Sequence, residues 1–129
     1  MRIYISGAFT EQARLRPHAE ALRALGHDVV SSWLYEPAKP NHLGKKAWYH
    51  ALATKDVAEV FASDCIIMDL DGESTTGGRF TEWGVACHPG SMRLRFLVGG
   101  AGKEGVFLML AHAQFAEWSD LLEYLGSNP

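Results

Sequence analysis

Two cysteines in 129 residues, Cys65 and Cys87, are too few for a disulfide scaffold, and they lack CxxC spacing. Both fall in apolar segments, which predicts buried, reduced thiols and a cytoplasmic protein. No apolar run approaches the roughly 18 residues of a membrane span, and Met1 leads directly into strand-forming residues, so neither a signal peptide nor a membrane partner is expected. Basic residues are not in excess. The 12 Lys and Arg are dispersed along the chain against 15 Asp and Glu, giving a net charge of −3. That excludes the footprint of a nucleic-acid polymer and a polybasic membrane patch. The six histidines show no ligand spacing such as HExxH and no cysteine partner, so no metal site is expected. Gly99-Gly100-Ala101-Gly102-Lys103 looks superficially like a phosphate loop but fails the Walker pattern, with Leu97 ahead of it and Glu104 after the lysine. Internal repeats, low-complexity stretches and linkers are also missing.

What remains is 47% hydrophobic, enough for one sizeable core and too short for a second domain, so residues 1–129 read as a single domain. Strand and helix patterns alternate. Arg2 to Ser6 is a strand, and Leu15, Ala19, Leu22 and Leu25 recur at helical spacing until Gly26. Pro17 is tolerable only near a first turn, which starts that helix around Gln12 to Arg16. His27 to Trp33 reads as the second strand. Pro37, Pro40, Asn41 and Gly44 mark a loop long enough to wall a pocket. Lys45 to Ala62 is the second helix, with Ala53, Val57, Val60 and Phe61 as its buried stripe and Asp56 beside it. A third strand over Asp64 to Leu70, a third helix over Arg79 to Cys87, a fourth strand over Arg93 to Val98 and a short fifth over Val106 to Leu110 follow. Phe115, Trp118, Leu121, Leu122 and Leu125 form a final amphipathic helix. Such alternation implies a three-layer α/β/α sandwich, flavodoxin- or Rossmann-like, with a five-stranded, mainly parallel sheet in the order 2-1-3-4-5.

The segment from Asp69 to Gly84 is the most informative. Cys65-Ile66-Ile67-Met68 is continuously apolar, as a parallel strand covered on both faces should be, and the run stops at Asp69. Ligands of open α/β sheets sit just beyond strand ends, where glycines let the backbone approach and helix N-termini favour anions. Gly77-Gly78 and then Glu82 follow there, and the helix start predicts an ionised Glu82. A plain turn with a dipole-compensating glutamate reads equally simply. What favours a site is a second carboxylate, Asp56, together with Tyr4 on the first strand.

Taken in order, Arg2-Ile3-Tyr4-Ile5-Ser6-Gly7, Asp56 through Asp64-Cys65-Ile66-Ile67, and Gly78-Arg79-Phe80-Thr81-Glu82-Trp83-Gly84-Val85-Ala86 resemble the nucleoside 2-deoxyribosyltransferase-like family, which includes deoxynucleoside 5′-monophosphate N-glycosidases. Val98-Gly99-Gly100 and Val106-Phe107 are similar to the family's late strand and turn. The resemblance covers most of the chain. It implies a metal-free and cofactor-free enzyme that cleaves the N-glycosidic bond of a small nucleoside or nucleotide, and a homo-oligomer, dimer or higher. It also implies Glu82 as nucleophile, Asp56 as the acid toward the base, and Tyr4 as a hydrogen-bond donor to Glu82. Two carboxyl groups in different environments suit an oxocarbenium-like transition state.

Substrate-binding candidates are Gly7, Ala8, Phe9, Trp33, Asp69, Thr76, Gly77 and Gly78. Thr76 stands where the transferring members carry an Asp and the nucleotide hydrolases a hydroxyl residue. With Ser74 and Thr75 it suits a 5′-phosphate. The first loop, Gly7-Ala8-Phe9-Thr10, departs from the hydrolases' Gly-Ser-x-Arg, and Glu104-Gly105 replaces a polar residue often lent by a neighbouring subunit. Arg14 and Arg79 are the candidates to compensate. Bland readings stay open: Asp56 as a solvated helix residue, Tyr4 as a strand aromatic, Trp33, Tyr35 and Trp48 as core or contact residues. So do a non-catalytic nucleotide-binding or sensing module on the same fold and a flavodoxin-like scaffold.

Overall fold

The computed structural model describes residues 1–72 and 77–127. Five parallel strands, β1 (Arg2–Ser6), β2 (Asp28–Val29), β3 (Cys65–Asp69), β4 (Leu94–Val98) and β5 (Ala113–Phe115), form one sheet in the order β2-β1-β3-β4-β5. Four helices, α1 (Gln12–Ala24), α2 (Lys45–Ala62), α3 (Gly78–Ala86) and α4 (Trp118–Ser127), complete the described fold. The central strand β3 pairs Ile3 with Cys65 on one side and Cys65 with Leu94 on the other. All five of its residues are buried, which is why its sequence is apolar without alternation. Cys65 and Cys87 are free thiols, the first fully buried. No described helix is long and apolar enough to cross a membrane.

Three sequence expectations need correction. The second strand ends early, at Val29 rather than Trp33. The Ser31 hydroxyl accepts the Ile5 N–H at 3.0 Å in place of a ladder carbonyl, and the chain turns into a single 3-10 turn over Ser32–Tyr35. That turn carries Trp33 under the sheet edge, where its indole N–H donates to the Ile5 carbonyl at 2.7 Å. The fifth strand is Ala113–Phe115, whereas Phe107–Leu110 forms a 3-10 turn. Its apolar run is a surface feature: Leu108 is buried, and Val106, Phe107, Met109 and Leu110 are exposed. Phe115 therefore belongs to β5 rather than to the last helix. In α2, the expected stripe is buried only at Val60; Val57 is half-buried, and Ala53 and Phe61 are exposed. The N-terminal part of the helix lines a cavity instead.

Asp69, at the end of β3, is fully buried and held from three sides. The Arg14 guanidinium donates to both its oxygens at 2.7 and 3.1 Å, the Trp118 indole N–H donates at 2.7 Å, and the Asp71 N–H at 2.9 Å. It thus ties α1 and α4 to the central strand. Because Asp69→Ala strands a cation and an indole N–H, it should destabilise the fold by about 3 kcal/mol. Urea unfolding should show a lower midpoint at unchanged slope, and an unaltered midpoint would refute this anchoring role.

Candidate active site

The side chains of Tyr4 and Ser6 share one face of β1, two residues apart, and both meet Glu82 of α3. The Tyr4 hydroxyl donates to Oε2 of Glu82, and the Ser6 hydroxyl donates to Oε1 at 2.7 Å. Ser6 also lies 3.2 Å from the Arg79 carbonyl oxygen. Glu82 is the fifth residue of α3, a full turn past the N-terminal N–H groups. The expected helix-dipole stabilisation of its charge is therefore weak, and burial dominates. Burial pushes the Glu82 carboxyl up to about 7, although the bonds from Tyr4 and Ser6 act in the opposite direction. The expectation of a standing carboxylate is corrected accordingly. Burial, and then the neighbouring Glu82 and Asp56, raise the Tyr4 hydroxyl far above its usual range, so it remains a donor.

Glu82 lines a cavity of about 830 Å³ between α2 and the sheet end, and Asp56 lines the same cavity from α2. Burial raises the Asp56 carboxyl to about 6; Lys55 lowers it, and Glu59 and Glu36 add to the rise. Its Oδ1 is buried with no hydrogen-bond partner among the described residues. Those neighbours are themselves committed, Lys55 to Glu36 and Glu59 to the N–H and hydroxyl of Ser32. After burial, the charges of Asp56 and Glu59 add to the rise of the Glu82 carboxyl.

Of the residues singled out in the sequence, the cavity brings together Gly7, Phe9, Trp33, Asp56, Gly78 and Glu82. Trp33 is almost fully buried and Phe9 half-exposed, with their rings tilted at a centroid distance of 6.4 Å. Tyr4 is fully buried behind Glu82. Ala8 is buried off the cavity wall, and Gly77 precedes α3 in the left-handed region at φ 68°, a conformation glycine allows. Asp69 is spent on Arg14, Trp118 and Asp71 and does not line the cavity. Ser74, Thr75 and Thr76 lie outside the described residues. Arg14 is committed to Glu11 and Asp69. Arg79 does reach the cavity wall, but its Nη1 is given to the carbonyls of Asp69 and Asp71 at 3.1 and 3.0 Å.

Sequence reading missed Ser6, although its two-residue spacing from Tyr4 on a strand is the signal that finds it. It also missed the wall that α2 supplies. Lys45, Trp48, Tyr49, Leu52 and Ala53 precede Asp56 at spacings of three and four, on the same helix face, and all line the cavity. No group of three or more His, Cys, Asp and Glu arranged to hold a metal occurs among the described residues.

Among solved structures, the chain is similar to a 2-deoxyribosyltransferase from the psychrotolerant bacterium Bacillus psychrosaccharolyticus, at 21% identity and a TM-score of 0.75 over 96% of this chain and 92% of that one. The two chains share one fold. A conserved protein from Enterococcus faecalis matches at 20% identity and a TM-score of 0.70 over 100% of this chain and 99% of the other. The CMP N-glycosidase of Clostridium botulinum matches at 14% identity and a TM-score of 0.61, with both chains covered in full at 100%. No family model matches the sequence, and no curated protein matches it significantly.

The raised Glu82 carboxyl has a consequence for stability. A carboxyl whose folded value lies above its unfolded one favours the fold fully below the unfolded value and loses that advantage as pH rises through the folded value, here about 7. Glu82→Gln keeps the shape and removes the buried charge. At pH 8 the variant should be the more stable protein by up to about 3 kcal/mol, with the difference gone near pH 4.5. Thermal unfolding at the two pH values checks this, and a variant less stable than the parent at pH 8 would contradict it.

Proposed function

We propose that the protein breaks the N-glycosidic bond of a 2′-deoxynucleoside or its 5′-monophosphate through a covalent glycosyl-enzyme on Glu82. One observation carries this reading. A glutamate carboxyl is clamped by Tyr4 and Ser6 at a cavity wall, and a second carboxyl, Asp56, without a hydrogen-bond partner among the described residues, lines the same cavity. The similarity to a 2-deoxyribosyltransferase and to a CMP N-glycosidase supports the choice of substrate class.

In the first step a Glu82 oxygen attacks the anomeric carbon, the bond to the base breaks, and Asp56 gives its proton to the departing nitrogen. In the second, water or another base attacks the same carbon, its proton passes to Asp56, and the carboxylate is released. Trp33 and Phe9 supply faces against which a base can stack, and Gly7 and Gly78 border the same cavity. Thr76 is proposed to favour a 5′-phosphate. The assembly is proposed to be a homo-oligomer.

The titration order matters. With Asp56 raised to about 6 and Glu82 to about 7, Glu82 is the later of the two to lose its proton, and the reacting form, Glu82 ionised and Asp56 protonated, is the less populated one-proton form. The kcat/KM profile should be a narrow bell with limbs near 6 and 7, its upper limb reporting Glu82. A maximum near pH 5 would mean that Glu82 has an ordinary carboxylate value.

Base release from a panel of nucleosides and monophosphates, with and without a second free base, tests the activity. Glu82→Gln should lower it by about a hundredfold or more while the fold persists. Asp56→Asn should be most damaging for poor leaving bases and far milder for an activated base analogue. Near-normal turnover in Glu82→Gln removes the nucleophile assignment. Binding without base release by the parent protein would leave a nucleotide-binding module on the same fold.

A further inference from the structure

Ser6 has one hydroxyl proton and two acceptors within reach, Oε1 of Glu82 at 2.7 Å and the Arg79 carbonyl oxygen at 3.2 Å. Tyr4 has a single acceptor for its hydroxyl among the described residues, Oε2 of Glu82. Both side chains are fully buried, so neither finds a substitute in water. The two oxygens of Glu82 are therefore held differently, one by a fixed donor and one by a donor with an alternative.

That difference assigns them chemical roles, given the proposed glycosyl-enzyme. When a carboxylate becomes an ester, the oxygen bonded to carbon becomes a poor acceptor, while the other becomes a carbonyl oxygen and stays a good one. A buried donor with no alternative must sit on the oxygen that remains an acceptor. We propose that Oε1 is the attacking oxygen, and that Ser6 is a positioning residue whose hydroxyl turns to the Arg79 carbonyl as the bond forms and returns to Oε1 as it breaks. Tyr4 stays on Oε2 throughout.

The electron count follows the two steps already given. A lone pair of Oε1 forms the bond to the anomeric carbon as the pair binding the base leaves with its nitrogen, protonated by Asp56. In the second step the attacking water supplies the new bond, its proton goes to Asp56, and the Oε1–carbon pair returns to Oε1. Charge builds on Oε1 as it departs, and the returning Ser6 hydroxyl stabilises it there. The same hydroxyl stabilises the resting carboxylate. Ser6 therefore acts on Glu82 in the free protein and on release of the sugar.

The test is Ser6→Ala, with Ser6→Cys, which keeps the volume, in its place if the alanine variant fails to fold. Three readouts are taken against the parent. The carboxyl NMR titration of Glu82, which needs no turnover, should move to higher pH by about 0.5 to 1 unit. The upper limb of the kcat/KM profile should move with it, and the decay of the glycosyl-enzyme in a substrate-dilution chase, followed by intact mass, should slow about five- to tenfold. An unmoved titration, or an unmoved limb where turnover depends on Glu82, overturns the proposal; so does unchanged adduct decay. If the adduct decays too fast to follow, the limb decides. A titration that moves while Glu82→Gln keeps full turnover would instead overturn the nucleophile reading and leave the hydrogen bond intact.

Discussion

A carboxyl group taken out of water and held by two hydroxyl donors of one strand is the constraint on which the rest of the site depends. Glu82 could not be buried on α3 without partners, because an unpaired buried carboxylate costs several kcal/mol. Tyr4 and Ser6 supply those partners only because β1 lies beside β3 and turns both side chains to the α3 face. Two donors do not fully offset the loss of water, and the carboxyl rises to about 7. The fold thus holds a group that gains a proton near neutrality, the property expected of a group that changes charge during a reaction.

The cavity depends on a second compromise. Most helices of a three-layer sandwich bury a continuous stripe, but in α2 Val60 is the buried residue and the N-terminal half lines the cavity. Its inner face there is lined by Trp48, Leu52, Ala53 and Asp56, an apolar wall carrying one carboxyl. Burial raises Asp56 to about 6, so both carboxyls change charge close to neutrality. At the end of β3 the buried charge of Asp69 is spent on Arg14 and Trp118, which ties α1 and α4 to the central strand.

Strand order and the bounds of β1 and α2 were legible because they rest on period and order, which a sequence displays, whereas the meeting of Tyr4 with Glu82 was implied by the family resemblance. The end of β2 was not, since it depends on the Ser31 side chain replacing a backbone acceptor, a choice that apolar Val29 and Val30 conceal. The fifth strand was misplaced because the run Val106 to Leu110 is apolar yet exposed at every residue but Leu108, and periodicity measures hydrophobicity rather than burial. Asp69 was read as a ligand group from its place at a strand end; its partners, 55 and 49 residues away, leave no local trace. Ser6 was legible in principle, two residues from Tyr4, and was passed over because a strand serine usually satisfies its own backbone.

The central claim is that Glu82 itself bonds to the sugar. Peptide mapping by mass spectrometry of protein quenched during turnover tests it directly. The account predicts a sugar adduct on the peptide that contains Glu82, with fragmentation placing the mass at that residue. Base release with no adduct on that peptide, or with the adduct on another residue, would contradict it.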